Sequence, residues 1–171
     1  MSKRFSNEVW DWFKSLLIAV IIALLVRHFV VEIFMVEGGS MHPNLYNGER
    51  LVVNKFIYNF TEPERGEVVV FKYTDNKDFI KRVVGLPGET IEIDEGKINI
   101  DGIKLEEDYN VNRKVDEDFG PKDVPQGNYF VLGDNRESSK DSRSFGTISK
   151  EQIKGRASFV FWPPGELRSL K

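Results

Sequence analysis

The apolar positions of this chain change their rhythm once. Leu16 to Val26 (LLIAVIIALLV) is an unbroken apolar run, whereas beyond Val36 the apolar residues come in short groups divided by turn residues. The run alone is shorter than the about 20 residues a membrane-crossing helix needs. Its flanks extend it: Trp10, Trp12 and Phe13 suit an interfacial aromatic belt, Lys14 can snorkel, and Phe29 to Val31 continue the apolar character past Arg27 and His28. The pattern predicts a transmembrane anchor over 12–30 behind a short cytoplasmic tail at 1–11. Lys3, Arg4 and Lys14 place that tail inside by the positive-inside rule, so 31–171 is expected to lie outside the cell membrane. A cleaved signal peptide, a buried helix and a helix lying flat on the membrane are the alternatives. No small-x-small cleavage site follows Val26, charges flank the run, and it is apolar all round.

The groups beyond Val36 read as strands. LVVNKFIY (51–58), EVVVFKY (67–73), FIKRVVG (79–85), TIEID (90–94), KINIDG (97–102), NYFVLG (128–133) and ASFVFW (157–162) are β-branched and aromatic-rich. Asn47-Gly48, Arg65-Gly66, Pro87-Gly88, Glu95-Gly96 and Pro163-Pro164-Gly165 punctuate them. Ile91/Ile93 and Ile98/Ile100 alternate on either side of Glu95-Gly96, which predicts a hairpin. The polar stretch 103–126 reads as a surface excursion of the same domain. The expected class is all-β outside the anchor.

Composition narrows the chemistry. The chain has 171 residues, a net charge of -3 with mixed signs, no cysteine and two histidines, His28 and His42. Disulfides, thiolate nucleophiles and Cys-based zinc sites are excluded, a multi-histidine metal site is not expected, and no basic stripe points to nucleic acid. No cofactor is called for.

Three segments hold residues better suited to chemistry than to folding. In Glu37-Gly38-Gly39-Ser40-Met41-His42-Pro43, two glycines precede a serine, an arrangement able to aim backbone N–H groups at a developing oxyanion. A simple Gly-Gly-Ser turn reads equally well. In Phe79-Ile80-Lys81-Arg82-Val83-Val84-Gly85, strand periodicity puts Lys81 on one face with Phe79 and Val83. If that face is buried, desolvation lowers the amine from about 10.4 toward the about 7–8 that suits a general base. If it is an edge, the lysine snorkels. The third segment, 133–146 (GDNRESSKDSRSFG), is a dense polar run after a strand, either a solvated loop or a shell of hydroxyls and Asp141 around a base. His42 is the alternative base, about 6–7 Å from Ser40 by strand geometry. A Ser–Lys pair is a known substitute for the Ser-His-Asp triad.

Taken together, GGSMHPNL, RGEVVVFKY, FIKRVVGLPGE and GDNRESSKDSRSFG, in that order behind an N-terminal apolar segment, resemble the four boxes of bacterial type I signal peptidase, in particular its short single-span Gram-positive forms. The resemblance runs from the anchor to FVFWPPG. It implies a coiled antiparallel β-sheet, barrel-like protease domain near the membrane. It implies Ser40 as nucleophile, Lys81 as general base, and the Ser40 backbone N–H, beside Gly38 and Gly39, at the oxyanion. Ser139 matches the serine that orients the lysine. Asp141 and Arg143 match a buried ion pair, with Asp134 and Arg136 supporting it. Val36, Met41, Leu45, Phe79 and Ile80 fall where the family lines small pockets for P1 and P3, which suits Ala-x-Ala sites in secreted preproteins. Two departures stand out. Gly38 replaces a Ser found in some relatives, and Asn44 replaces the usual Thr after Pro43. A catalytically silent signal-peptide binder, a self-cleaving repressor-type Ser–Lys protease and a structural membrane protein are the competing classes.

Overall fold

The structure, a computed structural model, describes residues 2–112 and 118–170. Helix α1 spans Ser2–Phe29 and contains no glycine or proline to interrupt it. Trp10, Trp12, Leu16, Ile18, Ile22 and Leu24 along it are all exposed. Among the described residues no helix is long and apolar enough to cross a membrane. The side chains of Lys3 and Arg4, on which the expected orientation partly rests, lie outside the described residues. The helix gives way at the β-branched pair Val30-Val31 to strand β1.

The strands, in chain order, are β1 (Val31–Met35), β2 (Arg50–Asn54), β3 (Val68–Thr74), β4 (Lys77–Gly85), β5 (Thr90–Asp94), β6 (Lys97–Ile100), β7 (Ile103–Lys104), β8 (Phe119–Asp123), β9 (Asn128–Leu132), β10 (Ile148–Ser149), β11 (Ile153–Trp162) and β12 (Arg168–Ser169), with a one-turn helix α2 at Ser142–Phe145. They form two sheets. The larger follows the order β1-β2-β11-β3-β4-β9-β10, with β12 added to β11, and the smaller follows β7-β6-β5-β8.

The barrel-like closure expected from the resemblance is not formed. The larger sheet ends at β1 and β10, which do not pair, and β10 is only two residues long, too short a ladder to close on. The hairpin about Glu95-Gly96 is β5–β6, with Ile91 opposite Ile100 and Ile93 opposite Ile98. The stretch 103–126 is largely exposed in its described part, yet it supplies β7 and β8 to the smaller sheet; residues 113–117 lie outside the described residues.

Two-sided burial explains the continuous apolar run VVVF. Val68 and Val70 of β3 pack with Val36, Met41, Leu45, Leu51, Val53 and Val160, while Val69 and Phe71 pack with Val83, Tyr129, Val131 and Ile148. A third cluster joins the smaller sheet to Val84, Phe130 and Leu132. Each fully buried aliphatic or aromatic side chain contributes about 1.5–3 kcal/mol. The site is therefore carried on a rigid central strand, β4, flanked by β3 and β9.

Candidate active site

Ser40 lies in the loop between β1 and β2. That loop is closed at its base by Val36 N–H donating to Glu49 O and Gly48 N–H to Val36 O. Inside it, His42 N–H donates to Gly39 O, and Asn44 and Leu45 N–H to Met41 O, a tight turn that lifts Ser40 to the surface of the core. Gly38 has φ +85°, a left-handed conformation costly for any residue with a Cβ.

Lys81 comes from the middle of β4. Its Nζ lies 2.7 Å from Ser40 Oγ and donates to Ile80 O at 2.8 Å. The side chain runs beside Phe79, whose ring centroid is 5.2 Å from Nζ, and the residue is only 3 % exposed. Burial pushes the amine down from its ordinary 10.5 to about 8, against the opposing pull of the Asp141 and Asp134 carboxylates. An amine in that range exists in part as the free base near neutrality, the form able to take a proton from a hydroxyl.

His42 takes no part in this contact. Its ring packs against Tyr46 at 4.6 Å, and its buried Nε2 makes no hydrogen bond among the described residues.

Charged groups behind Ser40 and Lys81 are paired. Arg82, next to Lys81, donates from Nε to Asp134 Oδ1 at 2.9 Å and from Nη2 to Oδ2 at 2.7 Å, with both side chains buried. Asn44 Nδ2 adds a bond to the same Oδ2 at 2.7 Å. Asp141 accepts from Arg143 Nε and Nη2, both at 2.8 Å, takes Gly133 N–H at 3.1 Å and caps α2 through Arg143 N–H. Arg136 donates to Gly133 O and to the buried side chain of Glu107. The two aspartates of the 133–146 run thus have different partners: Asp141 takes Arg143 from its own loop, whereas Asp134 takes Arg82 from β4.

Three expected roles are corrected. Ser139 makes no hydrogen bond to Lys81: its buried Oγ has no partner among the described residues, and Nζ is committed to Ser40 Oγ and Ile80 O. Ser139 instead packs on Gly133, where an added Cβ would fall 2.2 Å from Ser139 Oγ and 2.4 Å from Ser40 O, so only glycine admits that approach. Gly38 offers no free donor to an oxyanion, because its N–H is spent on Asn47 Oδ1 at 2.9 Å. Leu45 does not line a pocket: it is 0 % exposed, folded under the loop by its bond to Met41 O and packed into the core.

A cleft of ≈ 370 Å³ opens beside Ser40 and Lys81. Val36, Met41, Phe79 and Ile80 line it, joined by Phe34 and Met35 and by a charged rim of Glu37, Lys77, Asp78 and Lys140 that sequence reasoning did not single out. Arg82, Asn44, Glu107 and Asn135 were likewise passed over as site residues. Arg82 carried one signal, a second basic residue next to Lys81 in the otherwise apolar run FIKRVVG (79–85).

Residues 9–162 match the family model for signal peptidase, peptidase S26. The chain is 44 % identical to signal peptidase I of Bacillus amyloliquefaciens over 99 % of its own length and 93 % of that protein's. It is 39 % identical to signal peptidase IB of Staphylococcus aureus (strain COL), covering 95 % of this chain and 94 % of that one. The crystal structure of a signal peptidase I from Enterococcus faecalis superposes with a TM-score of 0.50 at 35 % identity, covering 57 % of this chain and 98 % of that one. The family-model match over residues 9–162, with relatives about 40 % identical along nearly the whole chain, places it in the signal peptidase family, peptidase S26, whose members are serine endopeptidases.

Proposed function

We propose that this chain removes N-terminal signal peptides from exported preproteins, cutting after an Ala-x-Ala-like site with Ser40 as nucleophile and Lys81 as general base. The observation that carries the reading is the 2.7 Å approach of a buried, deprotonatable lysine to a serine hydroxyl at the wall of a cleft.

Ser40 Oγ attacks the scissile carbonyl as its proton passes to Lys81 Nζ. The oxyanion that forms is met by the Ser40 backbone N–H. Collapse of the intermediate breaks the C–N bond, and Lys81 hands its proton to the departing amine, leaving an acyl ester on Ser40. Water, deprotonated by the same amine, then attacks the ester and frees the signal peptide's carboxylate and the serine hydroxyl.

Substrate geometry follows from the sheet. β9 pairs with β4 only from Arg82 onward, so among the described strands the Phe79–Lys81 stretch has no partner on that side. An extended peptide added there gains main-chain hydrogen bonds with little side-chain demand. The apolar side chains of Val36, Met41, Phe79 and Ile80 then leave room for small residues at alternate positions.

The membrane reading is part of the same proposal: a single-pass anchor at 12–30, an inside N-terminus and an outside catalytic domain. It is supported by the exposed apolar side chains of α1 and by the outer face of the larger sheet. There Ile33, Val52 and Phe159 form one cross-strand row and Met35, Arg50 and Trp162 the next, with Ile33, Met35, Phe159 and Trp162 exposed. Such a face suits contact with lipid at the level where a preprotein's cleavage site emerges, and confinement to one plane raises the effective concentration of enzyme and substrate.

The test is cleavage of an Ala-x-Ala preprotein in detergent by wild type, Ser40→Ala and Lys81→Ala. Both variants are expected to fold and to lose cleavage; full activity in either removes that residue from its role.

A further inference from the structure

Asn135 lies outside the dyad and the ion pairs, yet it holds the nucleophile loop at two consecutive peptide groups. Its side-chain Nδ2 donates to Gly39 O at 3.0 Å, and its backbone N–H donates to Ser40 O at 3.0 Å. Gly39 C=O and Ser40 N–H belong to one planar peptide unit, so fixing the carbonyl fixes the direction of the N–H. The neighbouring peptide, through Ser40 O, is fixed by the second bond. The side chain of Asn135 is itself steadied by Asn112, whose Nδ2 donates to Asn135 Oδ1 at 3.1 Å.

We propose that Asn135 is a positioning residue that aims the Ser40 backbone N–H at the oxyanion. The inference rests on reading Ser40 as the nucleophile. Three features give it weight. Gly38 N–H is bonded to Asn47 and so does not compete with the Ser40 N–H for the oxyanion. The preceding residue is glycine, the residue type whose peptide turns over at least cost, so the plane needs an external restraint, which Asn135 Nδ2 supplies together with the longer His42 N–H bond to Gly39 O at 3.2 Å. A donor on Gly39 O also polarises the same amide and strengthens its N–H as a donor. Asn135 touches neither Ser40 Oγ nor Lys81 Nζ in any described hydrogen bond, so its effect is exerted through the peptide.

The experiment compares wild type, Asn135→Ala and Ser40→Ala on a preprotein substrate in detergent, with a peptide aldehyde ending in Ala as a tetrahedral-adduct probe. An oxyanion donor acts in the transition state and not on the bound substrate. Asn135→Ala is therefore expected to lower kcat by roughly 10- to 100-fold, somewhat less than outright loss of such a donor, with KM changed less than about twofold. The Ki of the aldehyde should rise by a similar factor, and the acid limb of the pH profile, set by Lys81, should stay in place. Unchanged kcat, or a loss carried in KM alone, overturns the positioning role while an inactive Ser40→Ala leaves the nucleophile intact. A fully active Ser40→Ala overturns both. If Asn135→Ala does not fold, Asn135→Ser, one bond too short to keep the contact with Gly39 O, is measured for the same split.

Discussion

Asn44 Nδ2 donates to Asp134 Oδ2 at 2.7 Å, tying the loop that carries Ser40 to the carboxylate that pairs with Arg82. The same amide donates to Asn110 O at 2.7 Å. Asn44 thus makes two hydrogen bonds, one of them part-buried and to a charged group. Asn44→Ala is expected to cost about 1.5–3 kcal/mol, the range for a hydrogen bond to a charged partner. Urea unfolding of the two proteins side by side measures it, and a change below a few tenths of a kcal/mol rejects the role.

The Arg82–Asp134 pair is almost fully buried. Removing one partner strands the other charge in the interior. Asp134→Leu alone is expected to destabilise by about 3–5 kcal/mol, whereas Arg82→Met with Asp134→Leu should recover most of the loss. A double variant no more stable than the sum of the two single changes would show that the two charges do not compensate one another.

Lys81 is held in the interior at the expense of stability. Its fall from 10.5 to about 8, caused chiefly by burial, corresponds to about 3 kcal/mol against the charged form in the folded state. Between those two values the unfolded chain binds a proton that the folded chain lacks, so raising the pH through about 8 to 10.5 favours folding. Below about 8 both states are protonated and the whole penalty applies. Lys81→Met is therefore expected to be inactive but more stable than wild type at pH 7, with the advantage shrinking as pH rises through that window. Thermal unfolding at several pH values checks both the sign and the window; a less stable Lys81→Met at pH 7 contradicts it.

Seven strands, β2 to β6, β9 and β11, were legible because each is a short β-branched or aromatic-rich group between turn residues, and the β5–β6 hairpin because its isoleucines alternate about Glu95-Gly96. The lysine was legible for the same reason: strand periodicity alone sets Lys81 beside Phe79. What stayed hidden depends on pairs distant in sequence. Arg82 and Asp134 meet only because β4 pairs with β9, and nothing local distinguishes Arg136 from Arg82 as the partner of Asp134. Glu107 reads as one more acid in a polar stretch, yet its side chain is buried against Arg136. Leu45 was misplaced because spacing along the loop cannot reveal the turn at Met41 that carries it inward. Closure of the sheet depends on its last strands, and β10 is too short to betray itself in the sequence.

The anchor reading has its own test in whole membranes. The full chain is expected to stay in the pellet through alkaline carbonate extraction. Protease added from outside should digest the domain beyond residue 31 in intact cells stripped of their wall. Release by carbonate would mean that α1 lies on the membrane surface or elsewhere, and full protection from protease would reverse the orientation.

The most direct measurement is the pH dependence of kcat/KM for preprotein cleavage, which reports the free enzyme's essential base. With Lys81 as that base, the acid limb should have its midpoint near 8, and the rate should fall tenfold per pH unit below it. A midpoint at the about 10.4 of an ordinary lysine, or one near about 6.5 that vanishes in His42→Ala, would contradict a desolvated Lys81 acting on Ser40.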